Sequence, residues 1–74
     1  MIAIVTPYFK DFYQLIKYAP FDGRYFEVKW INSVKSVFGR NYDGYILWYE
    51  YWEIKDINEV VDYLESHGAK RIEI

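Results

Sequence analysis

The stretch INSVKSVFG, Ile31 to Gly39, decides between two folds for this chain. As a helix, it places Ile31, Val34 and Phe38 on one face and ends just before Gly39, the residue type that most often follows a helix. These three apolar positions fit helical spacing better than the alternation of a strand. A helix here keeps the strands on either side apart, whereas a strand here would join them in a hairpin.

A strand is predicted immediately before this helix. The segment FEVKWI, Phe26 to Ile31, begins with alternating apolar and charged residues, which is typical of a strand. An Asp-Gly turn, Asp22–Gly23, is predicted to precede it.

The strongest strand pattern follows the helix. It is YILWYEYW, Tyr45 to Trp52, in which the residues up to Tyr49 are apolar without alternation. Such a run is typical of a strand covered on both faces. Alternation along the strand directs Ile46 and Trp48 to one face and Leu47 and Tyr49 to the other. We expect these four side chains to lie in the core.

The two ends of the chain add further elements. The apolar run Ile2–Val5 predicts a strand, and the helix after it is expected to have Thr6 as its N-cap and Pro7 as its first residue. The segment DINEVVDYLESHG, beginning at Asp56, predicts a helix that Asp56 caps. The closing residues AKRIEI predict a last strand.

The predicted order is therefore β-α-β-α-β-α-β. Strands separated by helices indicate an α/β fold with a small four-stranded, mainly parallel sheet and right-handed crossovers. The alternative, in which INSVKSVF continues the preceding strand, is an α+β sandwich of order β-α-β-β-α-β.

Composition limits the class of protein. The chain has 74 residues, 23% of them aromatic, and no cysteine. We expect one small domain, residues 1–74, whose aromatic rings supply a dense core. Disulfides and thiolate metal sites are excluded, and a cytoplasmic location is expected. No apolar run is long enough to span a membrane, and the first residues do not resemble a signal peptide. The bias toward Ile, Lys, Tyr, Phe and Asn is typical of an AT-rich genome, so a phage or viral accessory protein in a host cytoplasm fits the composition.

A candidate binding site lies where the strands end. In a parallel sheet the carboxyl ends of the strands meet at one edge, where ligands commonly bind. We expect Tyr8, Tyr51 and Trp52 to lie partly exposed there, beside the carboxylates Glu50 and Glu53. Tyr and Trp are frequent anchors of protein interfaces, and a symmetric homodimer is the simplest use of such a surface. The sequence predicts a non-catalytic interaction module that binds a protein partner, or itself, through these residues.

Motifs for catalysis are not found. The four glycines are too scattered for a phosphate-binding loop, and the single histidine, His67, does not make a metal site without carboxylate ligands. Glu50 and Glu53 fit solvated rim carboxylates better than an acid/base pair. No enzymatic activity, cofactor or metal is therefore predicted. A small-ligand site near Thr6, Asn32 and Glu50 is a third hypothesis.

The segment FGRNYDGYILWYE, Phe38 to Glu50, resembles part of the N-terminal substrate-recognition domain of phage-type superfamily 2 DNA helicases. Tyr42, Asp43 and Gly44 match the aromatic-Asp-Gly turn of that family, and Arg40 precedes it. The helix and strand that follow also match its layout. The resemblance implies a nucleic-acid-binding accessory factor with the hairpin topology.

In that alternative, nucleic acid would bind through Arg24, Arg40, Tyr42 and Tyr45. Arginine would contact phosphates, and the tyrosine rings would stack on bases. The net charge of −2 argues against a dedicated duplex binder, because phosphate neutralisation supplies most of the affinity of such proteins.

Overall fold

The computed structural model describes residues 1–18 and 27–73. The Asp22–Gly23 turn and Arg24 lie outside these ranges. The elements, in chain order, are β1 (Ile2–Val5), α1 (Phe9–Tyr18), β2 (Val28–Ile31), α2 (Val34–Val37), β3 (Gly44–Leu47), a 3-10 turn (Tyr51–Glu53), α3 (Ile57–Ser66) and β4 (Lys70–Arg71).

The four strands form one parallel sheet in the order β2-β1-β3-β4. Ile2 of β1 lies opposite Val28 on one side and opposite Gly44 on the other. The predicted α/β fold is confirmed. The hairpin alternative is wrong, because β2 and β3 pair with β1 and not with each other, and α2 occupies the connection between them.

The sheet separates two apolar layers. Ile2 and Ile4 of β1 pack with Phe12 and Leu15 of α1 on one face. The other residues of β1 point to the opposite face, where α2 and α3 complete the core. Both faces of β1 are therefore covered, as its uninterrupted apolar sequence predicts.

The buried face of α2 differs from the prediction. Val37 is fully buried, whereas Phe38 lies beyond the helix and is 54% exposed. The helix lasts only one turn, so Phe38 has an extended backbone and its ring packs at the surface, 5.1 Å from the ring of Tyr63. The prediction of a helix is confirmed, but two of the three residues assigned to its buried face lie outside it: Ile31 is the last residue of β2, and Phe38 follows α2.

The predicted caps of two helices also differ. Thr6 does not cap α1, which begins at Phe9. Asp56 makes no side-chain hydrogen bond to α3; its carboxylate oxygen Oδ2 instead accepts one from the backbone N–H of Val34, at 3.1 Å. Asp56 thereby satisfies a free donor at the start of the neighbouring helix and ties α2 to α3.

The strand β3 is shorter than predicted. Ile46 is buried, and Leu47 and Trp48 are half-buried, but Tyr49 is 59% exposed. The placement of Tyr49 in the core is wrong because β1 offers only Ile2–Val5 for pairing, with Val5 opposite Leu47. Tyr49 therefore lies beyond the paired sheet.

Candidate interaction site at the carboxyl edge of the sheet

The carboxyl ends of β1 and β3 lie side by side. The chain leaves β1 through α1 on one face of the sheet, and it leaves β3 toward α3 on the other face. Such a reversal creates a crevice outside the strand ends, the usual place for ligands in open α/β sheets. Here Thr6 is fully buried, and its hydroxyl donates a hydrogen bond to the carbonyl oxygen of Tyr49, at 2.9 Å. The loops after the two strands are thus joined.

The chain after β3 forms a tight turn with consecutive backbone hydrogen bonds. The N–H of Tyr51 donates to the carbonyl of Trp48 at 3.0 Å, and that of Glu53 donates to Glu50 at 2.8 Å. Glu50 has a φ of 58°, in the left-handed region that residues other than glycine rarely adopt. Ile54 is buried and fixes the end of the turn in the core. The side chains of this turn are therefore held on a defined backbone.

Exposed aromatic rings line this edge. Tyr8 is 47% exposed and Trp52 is 65% exposed, while Tyr51 is half-buried. The ring centroids of Tyr51 and Trp52 are 5.2 Å apart in an edge-to-face arrangement. The predicted partial exposure of these three rings is confirmed. We call the residues of the loops that follow β1 and β3 at this edge the carboxyl-edge patch: Tyr8, Tyr49, Glu50, Tyr51, Trp52 and Glu53.

A crevice of about 240 Å³ links the two sides of the patch. It is lined by Lys10 and Asp11 from α1 and by Tyr49 and Glu50 from the turn. The ammonium of Lys10 also lies 5.9 Å from the centroid of the Tyr8 ring. Lys10, Asp11 and Tyr49 were not predicted from the sequence as members of a site. Tyr49 is exposed because β1 has only four residues and its last one, Val5, pairs with Leu47. This register depends on a distant strand, so the residues around Tyr49 do not reveal it.

The two carboxylates of the patch interact. Hydrogen bonding to Glu50 raises the pKa of Glu53 above its ordinary value of 4.5, and the negative charge of Glu50 adds to this effect. Both side chains are exposed, as rim carboxylates are. A proton or a positive charge from a partner would relieve their repulsion.

The tyrosines of the alternative nucleic-acid site lie in the core. Tyr42 is 4% exposed and Tyr45 is 2% exposed, so neither ring offers a face for a base to stack on. Tyr45 points toward α3, where its hydroxyl donates a hydrogen bond to Glu65 Oε2 at 2.9 Å. Burial, followed by this hydrogen bond, raises the pKa of Tyr45. The prediction that Tyr42 and Tyr45 contact bases is wrong, and only Arg40 of the described members is exposed.

His67 has a structural position. Its ring stacks on Tyr63 with centroids 4.1 Å apart, and its Nδ1 lies 2.8 Å from the carbonyl oxygen of that residue. Within residues 1–18 and 27–73, no group of three or more histidine, aspartate or glutamate side chains is placed to hold a metal ion. Over the same ranges, no helix is long and apolar enough to cross a membrane.

Comparisons with protein-family models, with curated proteins and with solved structures return no match. The resemblance to helicase-attached recognition domains therefore stays a prediction.

Proposed function

We propose that this protein is a small non-catalytic interaction module that binds another protein through the carboxyl-edge patch. The observation that carries the proposal is the 65% exposure of Trp52 on a turn whose backbone is fixed by hydrogen bonds. Indole rings are enriched among the residues that dominate binding energy, and a rigid turn loses little conformational freedom on binding.

The surroundings of Trp52 support the same function. Tyr49 and Tyr8 add exposed rings, and Glu50 and Glu53 supply a charged border. Clusters of exposed rings with polar neighbours mark interaction sites on soluble domains. The crevice beside Lys10 offers a recess for one side chain of a partner.

Nucleic acid is the less favoured ligand. Two of the four residues expected to bind it are buried, and the net charge of the chain is −2. An electrophoretic shift assay at low salt, with single- and double-stranded probes, tests this alternative, because counterion release makes such binding strongest there. A salt-sensitive shift that Arg40→Ala weakens would favour nucleic acid over protein.

Photo-crosslinking tests the protein partner directly. A photoreactive phenylalanine analogue replaces Trp52 in cells that naturally contain the protein, and the adducts are identified by mass spectrometry. A matched variant carries the analogue at Tyr18, which is 74% exposed and is the last residue of α1, at the end of the helix away from the carboxyl-edge patch. We expect one protein to be captured from position 52 and not from position 18.

Binding of the captured protein is then measured with purified components. Trp52→Ala should leave the circular dichroism spectrum unchanged and weaken binding by about 2 kcal/mol or more, roughly thirtyfold. Equal capture from both positions, or unchanged affinity of Trp52→Ala, would overturn the proposal. Capture of a second copy of the chain from position 52 would identify the partner as the protein itself.

A further inference from the structure

No residue that the structure describes pairs with the outer side of the strand β2. Within the part of the chain that the structure describes, β2 is the outer strand and pairs only with β1. The carbonyl of Glu27 accepts from Ile2 N–H at 2.7 Å, and that of Ile31 accepts from Thr6 N–H at 3.1 Å. Backbone groups alternate in direction along a strand, so those of Val28 and Trp30 point outward. Such an edge is a template for another strand.

We propose that β2 pairs with β2 of a second copy of this chain, antiparallel, about a twofold axis at Val28. In this register Val28 lies opposite Val28 of the second copy, and the two exchange N–H···O=C hydrogen bonds. Glu27 then lies opposite Lys29 of the second copy, and the symmetry repeats this contact. Two opposite-charge cross-strand pairs result, with Cα atoms about 4.5 Å apart in such non-hydrogen-bonded positions.

Charge selects this register among the neighbouring ones. A shift that places Val28 opposite Trp30 of the second copy sets Lys29 directly opposite Lys29, and like charges in that position are destabilising. A further shift, with Trp30 opposite itself, sets Lys29 opposite Ile31 and makes no ion pair. The segment Glu27–Lys29 is thus self-complementary, which favours a second copy over an unrelated strand.

The apolar side of the same edge supplies surface to bury. Trp30 contacts the ring of Phe9 on α1, with centroids 5.3 Å apart, and Phe9 in turn lies 6.4 Å from Tyr13. Phe9 is 54% exposed and Tyr13 is 51% exposed. A second copy placed across the axis brings its own α1 to the same side of the sheet, so the exposed faces of the two α1 helices, which carry Phe9 and Tyr13, border the contact. The backbone bonds give the register, and the rings give apolar burial.

The inference is independent of the proposed function, because β2 and the carboxyl-edge patch are different surfaces. Antiparallel pairing of β2 directs the carboxyl edges of the two sheets in opposite directions. The dimer therefore carries two patches facing away from each other.

Sedimentation equilibrium of the full chain across a concentration series, at low salt, tests the proposal. We expect a dimer. Lys29→Glu places like charges at both symmetric contacts and should weaken the dimer about tenfold or more. The double variant Glu27→Lys with Lys29→Glu restores opposite charges in reversed order and should recover most of the affinity. Trp52→Ala is the matched control on the other surface and should leave dimerisation unchanged.

Val28→Pro tests the backbone contact. It removes an N–H that makes no hydrogen bond to any residue in the ranges 1–18 and 27–73, so the sheet keeps its described hydrogen bonds while the dimer is lost. A monomeric wild type at about 100 µM protein, or a double charge variant no better than Lys29→Glu, would overturn the inference. So would a dimer that Trp52→Ala abolishes and Lys29→Glu leaves intact, which would place self-association at the carboxyl-edge patch.

Discussion

Two tyrosines of the same core cluster should respond in opposite ways to removal of the hydroxyl group. Tyr42 and Tyr45 are both buried under α3, but only the hydroxyl of Tyr45 has a partner, Glu65, at 2.9 Å. Among the residues that the structure describes, the buried Tyr42 hydroxyl has no hydrogen-bond partner. The substitutions Tyr42→Phe and Tyr45→Phe remove one oxygen each and leave both rings in place.

The expected magnitudes follow from the partners. A hydrogen bond to a charged group contributes about 1.5–3 kcal/mol, and the exposure of Glu65 to solvent lowers this, so Tyr45→Phe should reduce the free energy of unfolding by about 1 kcal/mol. An unsatisfied buried hydroxyl is itself unfavourable by about 1–3 kcal/mol, so Tyr42→Phe should be neutral or should stabilise the protein by up to about 1 kcal/mol.

Urea denaturation followed by tryptophan fluorescence measures both changes, provided that the m value stays constant. Adding Glu65→Ala to Tyr45→Phe should cost little more than either change alone, because the two groups share one bond. The pH dependence gives a second measure. The pKa of Tyr45 in the folded protein is raised above its ordinary value of 10.0. The protonated hydroxyl therefore contributes fully to the free energy of unfolding below pH 10.0, and this contribution is lost as the pH rises through the raised pKa. Equal destabilisation by Tyr42→Phe and Tyr45→Phe would refute this account of the core.

Three further changes test other parts of the fold. Ile4→Ala, in the middle of the fully buried β1, should reduce the free energy of unfolding by about 2–5 kcal/mol in urea denaturation; a change below about 1 kcal/mol would show that β1 is not central. Gly44→Ala places a methyl group 2.7 Å from Ile72 Cδ1 and 3.1 Å from the carbonyl oxygen of Lys70, so it should cost about 1–3 kcal/mol by displacing β4, and faster hydrogen exchange at Ile72 checks this. Glu53→Gln should raise the melting temperature slightly at neutral pH and leave it unchanged at acidic pH. The pKa of Glu53 is raised, so the proton that it shares with Glu50 is bound at acidic pH, is lost as the pH rises through that pKa, and leaves two carboxylates that repel each other. The same change in melting temperature at both pH values would contradict the interaction with Glu50.

Local periodicity was sufficient to predict the order of elements and the parallel sheet. A helix between β2 and β3 was correctly predicted, although only Val34 of its three proposed face residues lies within it. The errors concern where elements end and what their ends contact. Phe38 fits the helical period but lies past a one-turn helix, and Asp56 caps a neighbour that is distant in sequence. These outcomes depend on tertiary contacts, which no local window of sequence contains.

The candidate site divides in the same way. The run EYWE after an apolar strand correctly indicated that Trp52 is exposed. The crevice was not predicted, because Lys10 and Tyr49 approach each other only after the chain has crossed the sheet. Tyr42 and Tyr45 were misplaced for a related reason: an aromatic residue at the start of a strand has the same local pattern whether a helix covers it or solvent does.

The central position of β1 has a consequence for how the protein folds during synthesis. This strand leaves the ribosome before both of its neighbours, yet its residue Ile2 pairs with Val28 and Gly44, each at the end of a long crossover. Closing these crossovers loses chain entropy before any pairing is formed, which slows folding of parallel sheets. The apolar segment IAIV therefore has no strand partner until β2 has emerged and lacks its second partner until β3 has emerged, and an apolar strand left unpaired in this way is prone to aggregation.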